Sequence, residues 1–423
     1  MNRRNFIQTT AAMGTGLMTR PLWATNGLTT PFPVRRITQT KHYHWFGYYD
    51  KFQTDPTGRF AVGCEVQFEH RSPTAEDVLK IVLIDLKKPQ RPQYIGTSRA
   101  WSWQQGCMLQ WIPGSNSQII WNDREQDRFV SRVYDMNTRK TRTLPQAIYT
   151  VSPDGTFAIG TPFNRIQNLR PGYGYAGIPD PYEQEKAPDA IGIYKMDLKT
   201  GDCHNILSIA QLAAIPHQGN SISDNWHWFN HLLVSPDNQR FLFLHRWRAK
   251  KEERQVMART GFVTRMITAD VSGKDCYILD PSGYTSHFVW RNPQAVCAWT
   301  QPVGKAPGFY LLQDKSQAVE LIGKDQMTDN GHNTYVPDTN NEWILNDTYA
   351  LGMARLQTLY LYHVPSDRKV VLGTFYSPTS YVGEWRCDLH PRCNRQGTKV
   401  YFDSTHEGKG RQMYEIDIAQ IVK

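Results

Sequence analysis

A turn signal recurs along this chain at intervals that suit one blade of a repeat architecture. It stands at Asp55-Pro56-Thr57-Gly58, Ile112-Pro113-Gly114, Ser152-Pro153-Asp154-Gly155, Ser235-Pro236-Asp237, Asn292-Pro293 and Val336-Pro337-Asp338. A proline-free version follows at Asn394-Arg395-Gln396-Gly397. Proline presets the backbone angle at the start of a β-turn, while Asp, Asn and Gly tolerate its later positions. Short apolar or aromatic runs follow these turns at 60–66, 118–121, 241–245, 343–345 and 400–402. A second set lies at 81–86, 133–136, 191–198, 265–271, 309–313, 359–364 and 413–418, and third runs at 94–95 and 370–372. The turns are spaced by about 40 to 58 residues, with one interval of about 83, and several short strands per such period are the signature of propeller blades. Seven turns predict an all-β fold, a seven-bladed β-propeller over 34–423. A two-domain β-sandwich is the competing architecture.

Two irregularities fit within this scheme. The long interval contains residues 169–189, rich in Gly, Pro and Tyr, which are expected to form a loop over one face. Gly172, Gly174 and Gly177 would let that loop move. The last unit lacks an outer strand, and residues 34–40 are expected to supply it and close the ring.

The N-terminus reads as a leader. Arg3 and Arg4 precede a weakly apolar stretch over 9–18, and the pattern ends near Leu22-Trp23-Ala24. This is the form of a twin-arginine signal over 1–25, which implies export in the folded state to the periplasm or beyond. The stretch is too short and too polar for a membrane span. The seven cysteines (64, 107, 203, 276, 297, 387 and 393) form no CxxC pair and no disulfide framework, as suits folding in a reducing compartment. A net charge of +9 favours an anionic partner. The basic residues do not form long runs, so a nucleic-acid footprint is not expected.

The repeat also places side chains. The innermost strand of a blade lines the central channel and runs into the turn. His231, His332 and His390 each lie five residues before a turn position, and His287 lies six before Pro293. Four consecutive blades thus offer an imidazole at nearly one height, an arrangement suited to Zn²⁺ or Mn²⁺, with Asp388 as a carboxylate partner. The alternative is a polar, water-filled channel. On the same rim, Tyr149, Arg165, His245 and Arg246 form a set able to supply a base, an acid and a carboxylate clamp. Asn122, Asp123, Asn346, Asp347 and Asp403 lie at the same strand ends, where each could be a blade-stabilising hydrogen-bonder, the better reading for the Asp residues.

At Ser286-His287-Phe288, Asn330-Gly331-His332, Asp388-Leu389-His390-Pro391 and Phe402-Asp403-Ser404 the chain resembles the oligogalacturonate lyases and, more loosely, the propeller-type ulvan lyases. That resemblance implies a divalent metal held by histidines of the late blades, with His287 and His390 at matching positions. Asp388 stands where the family has a second histidine, and Trp385 about where it has a glutamine. It also implies a carbon–oxygen lyase acting on an acidic polysaccharide or oligosaccharide by β-elimination at a uronic acid. Arg165 or Arg246 would neutralise the uronate carboxylate, and Tyr149 or His245 would move protons. The other readings of the same residues are a non-catalytic glycan-binding propeller, a metal-dependent glycan hydrolase and a protein-interaction scaffold.

Overall fold

A computed structural model describes residues 28–254 and 261–423. Its strands form seven antiparallel sheets in ring order: blade 1 (43–98), blade 2 (110–144), blade 3 (150–208), blade 4 (226–283), blade 5 (288–322), blade 6 (334–376) and blade 7 (392–417). The expected seven-bladed, all-β propeller is what the chain forms. The turn-and-strand reading anticipated Phe60–Val66 to the residue, and elsewhere the strands extend past the apolar runs by a few residues. They extend because hydrogen bonding continues into polar ends such as Asn122-Asp123-Arg124-Glu125, which carry little hydrophobic signal.

Blade faces pack on each other, so the middle strands are buried on both sides. Val62, Cys64, Ile81, Val82 and Ile84 are all in the core, as are Leu242, Phe243 and Leu244. Such strands read as continuous apolar runs rather than alternating ones. Trp45, Trp101 and Trp103 pack between blades 1 and 2, with centroids 5.0–5.7 Å apart.

The ring closes through the early chain. Val34–Arg36 is the outer strand of blade 7, pairing antiparallel with Tyr414, Glu415 and Ile416, as the missing outer strand implied. Arg35 Nε donates to Glu415 Oε1 at 2.8 Å. Leu28–Thr29 adds a fifth strand to blade 6. The residues read as a leader lie outside those described, apart from the strand that follows them. Among the described residues no helix is long and apolar enough to cross a membrane.

The long interval is an insertion in blade 3, but it is not a plain loop. It opens with a helix, Phe163–Leu169, and continues as packed turns. Tyr175 stacks on Phe163 (centroids 4.1 Å, planes 8° apart) and accepts from Asn122 Nδ2 at 2.9 Å. Gly174 carries no side chain because a Cβ there would overlap Gln167 N and Phe163 O. The close approach, rather than hinge motion, explains this glycine. Gly174→Ala is expected to destabilise the fold by about 1–3 kcal/mol and to displace the neighbouring Tyr173. Denaturant titration and the near-ultraviolet signal of the docked tyrosines would report it.

Two buried histidines away from the channel make stability depend on acid. Burial lowers His406 to about 4, and burial, followed by the nearby Arg265 and Arg165 charges, brings His227 to about 4 against a hydrogen bond to Ile222 O. The unfolded chain therefore binds these protons first as pH falls from about 6.5 to about 4. Their stabilisation is intact above that window and is lost through it, by about 3 kcal/mol for each site. Unfolding midpoints measured from neutral pH down to 4 are expected to fall, with His406→Asn flattening part of the slope.

Candidate functional site

The inner strands deliver their histidines to the axis through an unusual backbone. His231 and His390 have φ of 53° and 42°, and Met108, at the same offset in blade 2, has 54°. A left-handed residue breaks the strand's alternation and re-aims its side chain, as a bulge does. Blade 4 indeed shifts register between Asn230 and Leu233.

The four in-phase histidines converge. The rings of His287 and His332 lie 4.2 Å apart, and those of His332 and His390 4.3 Å. His231 stacks on Phe288 at 3.9 Å and stands apart from the other three, with Tyr48 and Tyr49 beside it. Their environments differ. His231 Nε2 faces Asp50 Oδ2 at 3.2 Å, and Tyr48 OH lies 3.4 Å from its Nδ1. Asp50 is also paired with Lys51 at 2.8 Å. Burial would raise Asp50, but the Lys51 charge and the His231 bond hold it at about 2. His287 is engaged at both nitrogens, by Asn330 Oδ1 at 3.0 Å and Tyr349 OH at 3.2 Å.

His332, His390 and Asp388 form the compact donor set. One potential ligand atom from each lies within 4.8 Å of the others, and all three residues are buried. His332 Nδ1 is 2.9 Å from Asp347 Oδ1, which leaves Nε2 as the lone-pair nitrogen. A carboxylate behind a histidine in this way is the usual support of a metal ligand. His390 is kept neutral by burial first and then by the His332 and Arg386 charges. Two imidazoles and a carboxylate fit a borderline divalent ion such as Zn²⁺ or Mn²⁺. The set keeps His332, His390 and the carboxylate partner Asp388 of the sequence reading, while His287 and His231 are held by other partners. Trp385, at the family's glutamine position, donates its indole N–H to Ser380 O.

Beside the histidines opens a cavity of about 350 Å³, whose wall includes Tyr48, Arg170, Tyr173, Arg246, Tyr349 and Arg386. Of the four rim residues, Arg246 lines this cavity. Burial, then the Arg170 charge, lowers its guanidinium to about 9, and Nε donates to Thr264 Oγ1 at 3.0 Å. Tyr149, Arg165 and His245 do not line this cavity. The Tyr149 hydroxyl lies 2.7 Å and 3.0 Å from the two amide atoms of Gln105, and burial pushes its phenol up. Arg165 is buried and spends its guanidinium on Asp180 and on the carbonyls of Tyr182, Glu185, Lys186 and His227, so it pins the insertion to blade 4. His245 sits inside blade 4 between His227 Nδ1 (2.9 Å) and Arg265 Nε (3.2 Å).

The residue that sequence reasoning missed is Tyr173. Burial favours its neutral form, but the charges of Arg386 and Arg170 outweigh this and bring the phenol to about 7. Arg386 Nη2 donates to its hydroxyl at 3.3 Å, while Arg386 Nε pairs with Asp388 Oδ2 at 2.6 Å. Arg170 lies over the ring at 4.1 Å. A phenol that ionises near neutrality in a cationic cavity has the properties of a general base.

Neither a protein-family model nor a curated protein matches the sequence. Among solved structures, the chain is similar to an oligogalacturonate lyase from Vibrio parahaemolyticus, with 15% identity over 94% of this chain and 98% of that one and a TM-score of 0.63. It is similar to an oligogalacturonate lyase in complex with manganese at 14% identity, covering 92% and 94%, with a TM-score of 0.62. The propeller domain of the Trilobed protease from Pyrococcus furiosus follows at 9% identity, 88% and 96% coverage and a TM-score of 0.50. At these identities the likeness is one of fold, a propeller shared by lyases and proteases alike.

Proposed function

We propose that the chain is a polysaccharide or oligosaccharide lyase that cleaves uronate-containing glycans by β-elimination. Tyr173 carries this reading, as a buried phenol brought to about 7 in an arginine-lined cavity whose wall also carries His231 and His287. The C5 proton of a uronate is weakly acidic while its carboxylate is ionised. Arg246 would pair that carboxylate and stabilise the enolate-like charge that develops on it. The Tyr173 phenolate takes the C5 proton, the electron pair forms the C4–C5 double bond, and the bond from C4 to the linking oxygen breaks. The departing oxygen takes a proton from a neighbouring phenol. Tyr48 on the cavity wall is protonated at neutral pH, because burial and then Tyr49 push its phenol well up. A divalent metal held by His332, Asp388 and His390 would supply further positive charge for the carboxylate.

The lyase-type propellers among the similar structures, and the manganese of one of them, support the reading at the level of architecture. Location in the periplasm or outside the cell remains a proposal based on Arg3 and Arg4 and the stretch after them. The test is ultraviolet absorbance of an unsaturated uronate product, measured on pectin fragments, ulvan, alginate and glycosaminoglycans, with and without chelator. A rise in absorbance is expected on one of them, with loss on chelation. Binding without turnover would instead mark a non-catalytic glycan-binding propeller. New reducing ends without a double bond would mark a hydrolase.

A further inference from the structure

Three other buried arginines spend their guanidiniums on protein partners. Arg392 bonds to Gln53, Asp403 and His390 O, and Arg411 to Glu69 and Trp385 O. Arg165 makes five bonds, as described above. Around Phe262 such partners are scarce. Three guanidiniums surround its ring, with Arg170 at 4.7 Å, Arg246 at 5.2 Å and Arg248 at 5.7 Å from the centroid. Arg170 is 9% exposed and Arg248 2%, and in both Nε and Nη1 are buried without a hydrogen-bond partner. Among the described residues, no carboxylate forms an ion pair with any of the three. Glu253 acts on Arg248 only through space and is itself 3.8 Å from Lys250 at the surface.

Leaving several like charges buried and unbonded is costly, and a neutral sugar would not relieve it. One reacting carboxylate satisfies Arg246 and leaves the four unbonded nitrogens of Arg170 and Arg248. An oxyanion at the cavity wall would accept charge-assisted hydrogen bonds from Arg170, and the Arg248 charge, 5.7 Å from the same Phe262 ring, would favour it through space. We propose that Arg170 and Arg248 form a second oxyanion subsite, which takes the anionic group on the sugar next to the one at Arg246. This rests on the glycan reading above. The ligand is then a glycan with charges on adjacent sugars, the second being a carboxylate or a sulfate ester. Tyr284, 68% exposed at the cavity edge, offers a face on which the chain could stack as it leaves.

Two calorimetric titrations of the full chain at fixed ionic strength test this. In the first, inorganic sulfate is the probe. Saturable binding is expected, weakened about tenfold or more in Arg170→Gln and in Arg248→Gln, with Arg248→Lys between them and wild type. Absent sulfate binding, or binding unchanged in both glutamine variants, overturns the subsite whatever the enzyme's reaction is. In the second, uronate disaccharides bearing one charge (the monomethyl ester) or two are compared. About a tenfold preference for two charges, abolished in Arg170→Gln, supports the subsite, and equal affinity overturns it. Replacing the second carboxylate with a sulfate ester shows which source binds more tightly. If sulfate binds but no saccharide does, the subsite stands and the glycan reading falls.

Discussion

Tyr173→Phe is expected to lower kcat by about 100- to 10,000-fold while leaving substrate affinity within a few-fold. The change removes one oxygen from a ring that stays packed under Arg170, so the cavity keeps its shape. Wild-type activity should depend on pH in a way that reports this group. Burial alone would hold the phenol protonated, but Arg386 and Arg170 bring it to about 7. The base form therefore dominates above that value, and activity should decline tenfold per pH unit well below it. Arg170→Gln should move the inflection upward, since one of the two cations that favour the phenolate is gone. A pH profile with no inflection between 6 and 8, or full activity in Tyr173→Phe, would remove Tyr173 from the reaction.

Asp403→Ala is expected to destabilise the protein by about 3–5 kcal/mol, read as a shift of the denaturant midpoint. Asp403 lies at the seam between blades 7 and 1. Its carboxylate accepts from Phe46 N at 3.2 Å and 3.3 Å and pairs with Arg392 Nη2 at 2.8 Å. Burial raises its pKa, against the pull of Arg392. Removing it strands a buried guanidinium and a backbone N–H together, and losses of both kinds are large because no water replaces them. Asp403→Asn keeps an acceptor for the N–H and should cost less. Equal stability of Asp403→Ala and wild type would mean that the seam is held by packing alone.

The fold was legible because each blade repeats the same local chemistry: a turn set by Pro, Asp or Gly, then strands whose apolar runs match burial on both faces. The blade-stabilising role of the polar strand ends was legible for the same reason. Asn122 bonds to Ile148, just ahead of blade 3, through both N–H and C=O, and Asp347 holds His332 just ahead of the first strand of blade 6. The phase rule that found the histidines had one more result to give. Five residues before Pro56 is Lys51 and six before is Asp50, the pair that anchors His231. Searching only for histidines hid them. Tyr173, Arg170 and Arg386 could not be found this way. The first two lie in the blade 3 insertion and the third in the connection before blade 7, where no repeat fixes the height of a side chain. Tyr149, Arg165 and His245 show the opposite difficulty. Each is polar and near the right end of a strand, yet its partners (Gln105, the insertion carbonyls, His227) are tertiary contacts without any local sequence mark.

The strand Val34–Arg36 has a consequence for the order in which the molecule can be made. It is made before the strands of all seven blades that follow it, and its partner, Gln412–Asp417, belongs to the last of them. Blade 7 therefore cannot be completed until the whole propeller has been synthesised, and so long-range a pairing makes ring closure a late and slow event. A transport route that threads an unfolded chain N-terminus first would carry the closing strand away from its partner until the whole propeller had crossed. A route that accepts a finished ring would not.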